Sequence, residues 1–154
     1  MANGFAYWQA QDISNATKTY FEDMALALGR IQSVSGNIDK PHFMSGGKFS
    51  PIGFTSFCTA DRGTRTLLIV ALETGWPGDG GSDYGAAKAG TTNEKTYWKS
   101  AVCGMLKWGV DLFWFEAFDE PKKEGAIGQN GQVASEKTWG SFTADRSPKF
   151  DMSC

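Results

Sequence analysis

The chain has 154 residues, 41% hydrophobic and 14% aromatic, which is enough apolar area for one domain with a real core and argues against disorder. Its 15 Lys and Arg against 17 Asp and Glu are mixed along the sequence with no basic block, so binding to a phosphate backbone has no electrostatic support. No segment reaches the roughly 18 apolar residues of a membrane span, and the opening MANGFAYWQAQD has neither the basic start nor the apolar stretch of a signal peptide.

GFAYWQ (4–9) predicts a short aromatic strand. Asp12 or Ser14 can cap the helix that follows, whose apolar stripe is Tyr20, Phe21, Met24, Ala25, Leu28 and Ile31. Ser35-Gly36-Asn37 ends it. From Met44 to Gly63 neither the helical nor the strand period holds, and a structureless loop of that length is uncommon inside a domain. TLLIVAL (66–72) predicts a strand buried on both faces. Glu73 follows, then a tight Gly75-Trp76-Pro77 turn that is expected to present an exposed aromatic ring. Beyond a Gly-rich stretch, Thr91 and Glu94 have capping-box spacing. Tyr97, Trp98, Ala101, Val102, Met105 and Leu106 share a helical face, and Gly109 sits where a C-cap glycine belongs. VDLFWFEAF (110–118) predicts the last strand, and the alternation of strands and helices predicts βαβ units with a parallel sheet.

Parallel α/β folds bind ligands at the carboxyl ends of their strands. Glu73 lies at one such end, and Glu116, Asp119 and Glu120 at or past another, among Tyr7, Trp8, Trp76, Trp114 and Phe115. Acids at strand ends also cap helices or face water. Four of them among aromatic rings suit a sugar, whose C–H faces pack on rings while carboxylates take its hydroxyls. Paired carboxylates also carry glycoside hydrolysis. Other chemistries find little here. His42 is the sole histidine and stands in KPHF, away from any strand end, and Gly78 to Gly85 has neither a dinucleotide fingerprint nor a P-loop. Cys58, Cys103 and Cys154 lack C-x-x-C spacing, so no metal or cofactor is expected. They fit either one disulfide with a leftover thiol or three reduced thiols.

ETGWP (73–77), FAYWQ (5–9), FEAFDEP (115–121) and WGSFTADRSPKF (139–150) resemble the fungal branch of glycoside hydrolase family 17. Those are secreted β-1,3-glucan hydrolases and glucanosyltransferases of the cell wall, built on a (β/α)₈ TIM barrel. The resemblance covers residues 3–43 and 72–154. It implies Glu73 as the retaining nucleophile, and Tyr7, Trp76, Phe115, Glu120 and Lys123 as groups contacting a β-1,3-glucan substrate. It also implies a Cys103–Cys154 disulfide in a secreted parent, with both thiols reduced in a chain without a leader. Asn15-Ala16-Thr17 is a glycosylation sequon, meaningful only in the secretory pathway. Lys122 stands where the family tends to have Trp after FDEP, which removes a stacking platform.

A complete barrel needs roughly 250 residues, so the resemblance implies a single incomplete domain over 1–154 holding about the last three strand units. Segment 44–65 is an atypical inserted loop, and the stretch 44–72 reads as a retained intron or a gene-model artefact. The family's general acid sits in a GNE-like motif that this chain lacks. Glu116 and Glu120 are nearby carboxyl groups, but neither matches the acid's position. Extracellular or cell-wall localisation follows from the resemblance. The alternatives are a non-catalytic glucan-binding wall protein and a mis-predicted gene product. Open sheet edges imply a chain that is marginally stable or needs a partner, such as the missing barrel half or another chain. Urea unfolding tests that, and an ordinary cooperative midpoint for the isolated chain contradicts it.

Overall fold

Three short parallel strands organise the molecule. The computed structural model describes residues 2–35, 72–108, 112–128 and 131–154. Strands β1 (Ala2–Asn3), β2 (Leu72–Thr74) and β3 (Phe113–Trp114) pair in the order β1-β2-β3. Asn3 and Phe113 both stand opposite Glu73, and Trp114 stands opposite Thr74. Helix α1 (Ile13–Ser35) follows β1. Helices α2 (Thr91–Tyr97) and α3 (Cys103–Lys107), joined through a π-helical stretch at Trp98–Val102, lie between β2 and β3. An antiparallel pair, β4 (Ala126–Ile127) and β5 (Val133–Ala134), forms a separate hairpin. Among the described residues there is no closed barrel, and no helix is long and apolar enough to cross a membrane.

The described strands differ from the expected apolar runs in where they lie. The one expected over 4–9 is confined to Ala2–Asn3, because the Gln9 and Ala10 amides turn back to the Ala6 and Tyr7 carbonyls. Only the Gly4 amide continues the ladder, donating to the Glu73 carbonyl at 3.0 Å. The run over 66–72 is described from Leu72 onward, and there the strand includes Glu73 instead of stopping before it. Segment 44–65, His42, Cys58 and Gly109 lie outside the described residues. Of the run over 110–118, residues 112–118 are described, and among these Phe113–Trp114 is strand. The Phe115 amide still reaches the Thr74 carbonyl at 2.8 Å, but the Glu116 amide donates to Trp139, so the C-terminal segment takes over the pairing.

Helix α1 starts where Asp12 can satisfy its free amides: Asp12 Oδ1 accepts the Ser14 amide at 2.9 Å and the Ser14 hydroxyl at 2.7 Å. Its buried stripe is Ala16, Tyr20 and Met24, with Phe21 partly buried, whereas Ala25 is exposed. The expected capping box at Thr91 and Glu94 does not form. Gly90 is the cap residue, and Asp79 Oδ1 accepts the Thr91 amide from across the loop at 3.0 Å. Glu94 is buried and turned inward. The expected single helix carries the π stretch, whose wider turn rotates the face beyond it, so that Met105 is buried while Leu106 is 43% exposed. Cys103 and Cys154 are joined by a disulfide that ties α3 to the C-terminus; they are not reduced.

The strands' two faces differ sharply. Thr74 is fully buried, with its hydroxyl 2.8 Å from the Tyr97 hydroxyl of α2. Trp114, its register partner, packs edge-on against Trp98 at 5.0 Å. These residues define the helix-facing side. Side chains alternate along a strand, so Asn3, Glu73 and Phe113 belong to the opposite face. Phe113 is 42% exposed there. Gly75 then allows the close approach of the segments that follow β2 and β3, since an added Cβ would run into the Phe115 carbonyl oxygen.

Tyr97→Phe is expected to lower stability by about 1–3 kcal/mol in urea unfolding, because it strands the buried Thr74 hydroxyl. Adding Thr74→Val to that variant is expected to restore most of the loss. A single-variant cost that the second substitution does not relieve contradicts the role given to this contact.

Candidate active site

At the mouth of the open sheet face, β2 presents Glu73, which is partly exposed. The chain then dives inward. Trp76 has no exposed surface, its indole N–H donates to the Lys88 carbonyl at 2.9 Å, and its ring lies 5.4 Å from Tyr97. Tyr7 is also fully buried and donates its hydroxyl to the Ser82 carbonyl at 2.6 Å. The exposed aromatic ring expected at Trp76 is therefore a buried one, and Tyr7, implied as a sugar contact, is buried as well. Both rings belong to the core, where apolar area and satisfied polar tips suit them. Trp139 is the hub: its buried ring meets Tyr7 at 5.0 Å, Phe115 at 5.7 Å, and Phe5 and Trp8 at 5.8 Å.

Phe115 and Lys123 come together. The Lys123 ammonium lies 4.1 Å from the centroid of the Phe115 ring, a cation–π contact. Three carboxylates surround that ammonium: Glu116 at 2.8 Å, Glu120 at 3.4 Å and Glu136 at 3.8 Å. Glu136 escaped sequence reasoning because it lies on no strand end. Its one signal was position, three residues before Trp139 in the last aromatic motif.

One cation cannot balance three carboxylates, and the cluster's ionisation reflects this. Burial, followed by a hydrogen bond to Glu120, pushes Glu116 up to about 7 against the pull of Lys123. Glu116 Oε1 is buried without a hydrogen-bond partner, which adds to the cost of its charged form. Glu120 is lowered by that same hydrogen bond and by Lys123. Burial works to lower Lys123, but the three carboxylates outweigh it and hold the ammonium above an ordinary lysine. A recess of about 380 Å³ opens here, lined by Glu120, Pro121, Lys122 and Lys123.

A second lysine sits behind the site. Lys149, 6% exposed, donates to Asp119 Oδ1 and to the Thr138 carbonyl, both at 3.0 Å. It lies 3.1 Å from Glu94 Oε2, but without hydrogen-bond alignment, so neither Glu94 oxygen has a donor. Burial pushes Glu94 up to about 8 despite this neighbour. Gly78 leaves the room both side chains occupy. Asn15 lies far from these clusters in sequence, on the exposed first turn of α1.

Residues 55–154 match the family model for glycosyl hydrolases family 17. The chain belongs to glycosyl hydrolases family 17. Within family 17 it is 46% identical to a glucan 1,3-beta-glucosidase of Arthroderma benhamiae over 154 residues, covering 100% of this chain and 42% of that protein. A protein of the same description from Saccharomyces cerevisiae is 33% identical over 154 residues, with 39% of its length covered. The crystal structure of a family 17 beta-1,3-glucanosyltransferase from Rhizomucor miehei aligns with a TM-score of 0.59 at 24% identity, over 99% of this chain and 42% of that one. The chain thus spans about two-fifths of the length of the relatives it matches.

Glu94 and Glu116 both titrate above the ordinary glutamate value of about 4.3. The folded state therefore holds their protons more tightly than the unfolded chain does. Their stabilising contribution is complete below that value and is lost as pH rises through about 7 for Glu116 and about 8 for Glu94. Urea midpoints are expected to fall steadily between pH 5 and 8.5. Glu94→Gln should flatten the upper part of that slope and Glu116→Gln the lower part. A wild-type midpoint that stays level across this range contradicts both assignments.

Proposed function

We propose that this chain is a carbohydrate-active part of a retaining enzyme acting on β-1,3-glucan, as hydrolase or glucanosyltransferase, with Glu73 as its nucleophile. The observation that carries the reading is the position of Glu73 within β2, one residue before its carboxyl end, on the face opposite Thr74 and the helices. The names of the relatives favour the same substrate. In this reading the three parallel strands are the last units of a (β/α)₈ barrel. Glu73 attacks the anomeric carbon and forms a glycosyl–enzyme bond while the aglycone oxygen departs with a proton from a general acid. Water, or a second glucan hydroxyl, then takes the glycosyl group and returns Glu73 as a carboxylate.

Retention needs a second carboxyl group roughly 5–5.5 Å from the nucleophile. We assign that acid to a part of the barrel beyond this chain, and the partner of the open face to the same part or to another chain. Phe115, Glu120 and Lys123 would contact the sugar, while Tyr7 and Trp76 would hold Glu73's surroundings from behind. The Cys103–Cys154 bond and the exposed Asn15 sequon favour an extracellular or wall-bound setting, where disulfides persist.

The nucleophile can be tested apart from the acid. A dinitrophenyl 2-deoxy-2-fluoro-β-laminaribioside has a leaving group that departs without protonation. Incubation with it should give a single glycosyl adduct on Glu73 by peptide mass spectrometry, absent in Glu73→Gln. An adduct on another carboxylate, or none, contradicts the assignment. Binding of laminari-oligosaccharides without any adduct would instead support a non-catalytic glucan-binding role.

A further inference from the structure

The segment 151–154 lies as a strap against the π-helical stretch, and its anchors gather there. The Trp98 indole donates to the Met152 carbonyl at 3.0 Å. The Lys99 ammonium donates to the Ser153 carbonyl and lies 3.3 Å from Asp151 Oδ2. Cys103, the residue that opens α3, carries the bond to Cys154. Asp151, Ser153 and Cys154 are exposed, so the Lys99 contacts compete with water and hold weakly. The covalent bond therefore carries most of the strap's attachment.

The stretch beneath the strap leads to the centre of the sheet. The Trp98 ring meets Trp114 of β3 at 5.0 Å and Phe150, which precedes the strap, at 5.9 Å. Trp114 is the register partner of Thr74, and its ring lies 6.3 Å from that of Tyr97. The Trp114 indole N–H is buried without a hydrogen-bond partner, so ring packing alone holds this side chain. Trp98 is thus one contact away from the strand pair that sets the side Glu73 occupies. A π-helical stretch is an uncommon local form that gives way to the ordinary helix unless surrounding contacts favour it.

We propose that the Cys103–Cys154 bond and its strap form a redox-sensitive positioning device for the β2–β3 pair. With the bond closed, the strap clamps Trp98 against Trp114 and preserves the π turn. A small dithiol opens it in two exchange steps. One dithiol thiolate attacks a protein sulfur and breaks the S–S bond, leaving a mixed disulfide. The second thiolate then releases a cyclic disulfide, and Cys103 and Cys154 retain two electrons and two protons as thiols. The freed strap lifts from Trp98 and Lys99, the stretch relaxes towards ordinary helical bonding, and Trp98 loosens from Trp114. The strand pair then frays where the Phe115 amide meets the Thr74 carbonyl. The consequence for Glu73 chemistry, though not the strap's motion, rests on the β-1,3-glucan reading.

Hydrogen–deuterium exchange of the full chain, with and without dithiothreitol, reads the device directly. Reduction should speed exchange about tenfold in peptides covering 98–103 and 113–115 while the β4–β5 hairpin stays unchanged, and reoxidation should restore the original rates. Cys154→Ser should match the reduced chain and no longer respond to dithiothreitol. Trp98→Phe, which keeps the disulfide and a ring but loses the bond to Met152, should speed exchange at 113–115 even in the oxidised chain. Labelling of Glu73 by the fluoro-laminaribioside should slow on reduction. Faster exchange that stops short of 113–115, or that rises equally throughout the chain, refutes the device. An unchanged labelling rate in the reduced chain refutes its link to Glu73. If Glu73 is never labelled, the glucan reading fails, and the exchange pattern still decides whether the strap acts on the sheet.

Discussion

The contact between the Thr74 and Tyr97 hydroxyls fixes which way the central strand faces. It is buried, polar and mutually satisfied, and a one-residue slip of β2 would replace it with an unpaired hydroxyl in the core. Because side chains alternate, locking Thr74 onto the helix layer places Glu73 on the other face. The Phe115 amide bond to the Thr74 carbonyl then brings the segment carrying Glu116, Glu120 and Lys123 to the end of β2. Fold and chemistry are linked at this one residue pair.

Two lysines order the acids around that strand end, in opposite settings. Lys149 is almost fully buried and joins α2, the segment after β3 and the C-terminal tail through Glu94, Asp119 and Thr138. Its bonds to Asp119 and Thr138 tie these segments together away from the surface, so this cluster is read as structural. Lys123 stands at the surface of the aromatic core, over Phe115 and beside an open recess. Its three carboxylates hold more negative charge than it can neutralise, and Glu116 responds by keeping a proton near neutral pH. A cluster with exposed acceptors and a spare proton suits hydroxyl-rich ligands better than a closed ion pair would.

Much of this could be read in the sequence, for identifiable reasons. The Asp12 cap and the Tyr20–Met24 stripe depend on local spacing, which a single chain displays directly. The parallel sheet followed from the alternation of apolar runs. Burial of Tyr7 and Trp76 was not legible, because an aromatic ring serves equally as core or platform, and only the Ser82 and Lys88 carbonyls that satisfy their polar tips decide the matter. The Thr91–Glu94 spacing misled for a similar reason: Asp79 and Lys149 are distant in sequence and outcompete the local cap. Glu136 joins Lys123 only through tertiary packing, so no motif announced it.

The account stands on the face that Glu73 occupies. A crystal structure of the chain soaked with laminaritriose tests it most directly. A sugar ring should lie on the sheet face shared by Asn3, Glu73 and Phe113, with the Glu73 carboxylate within hydrogen-bonding distance of it. A Glu73 side chain turned towards α2, with the sugar bound elsewhere, would contradict the account.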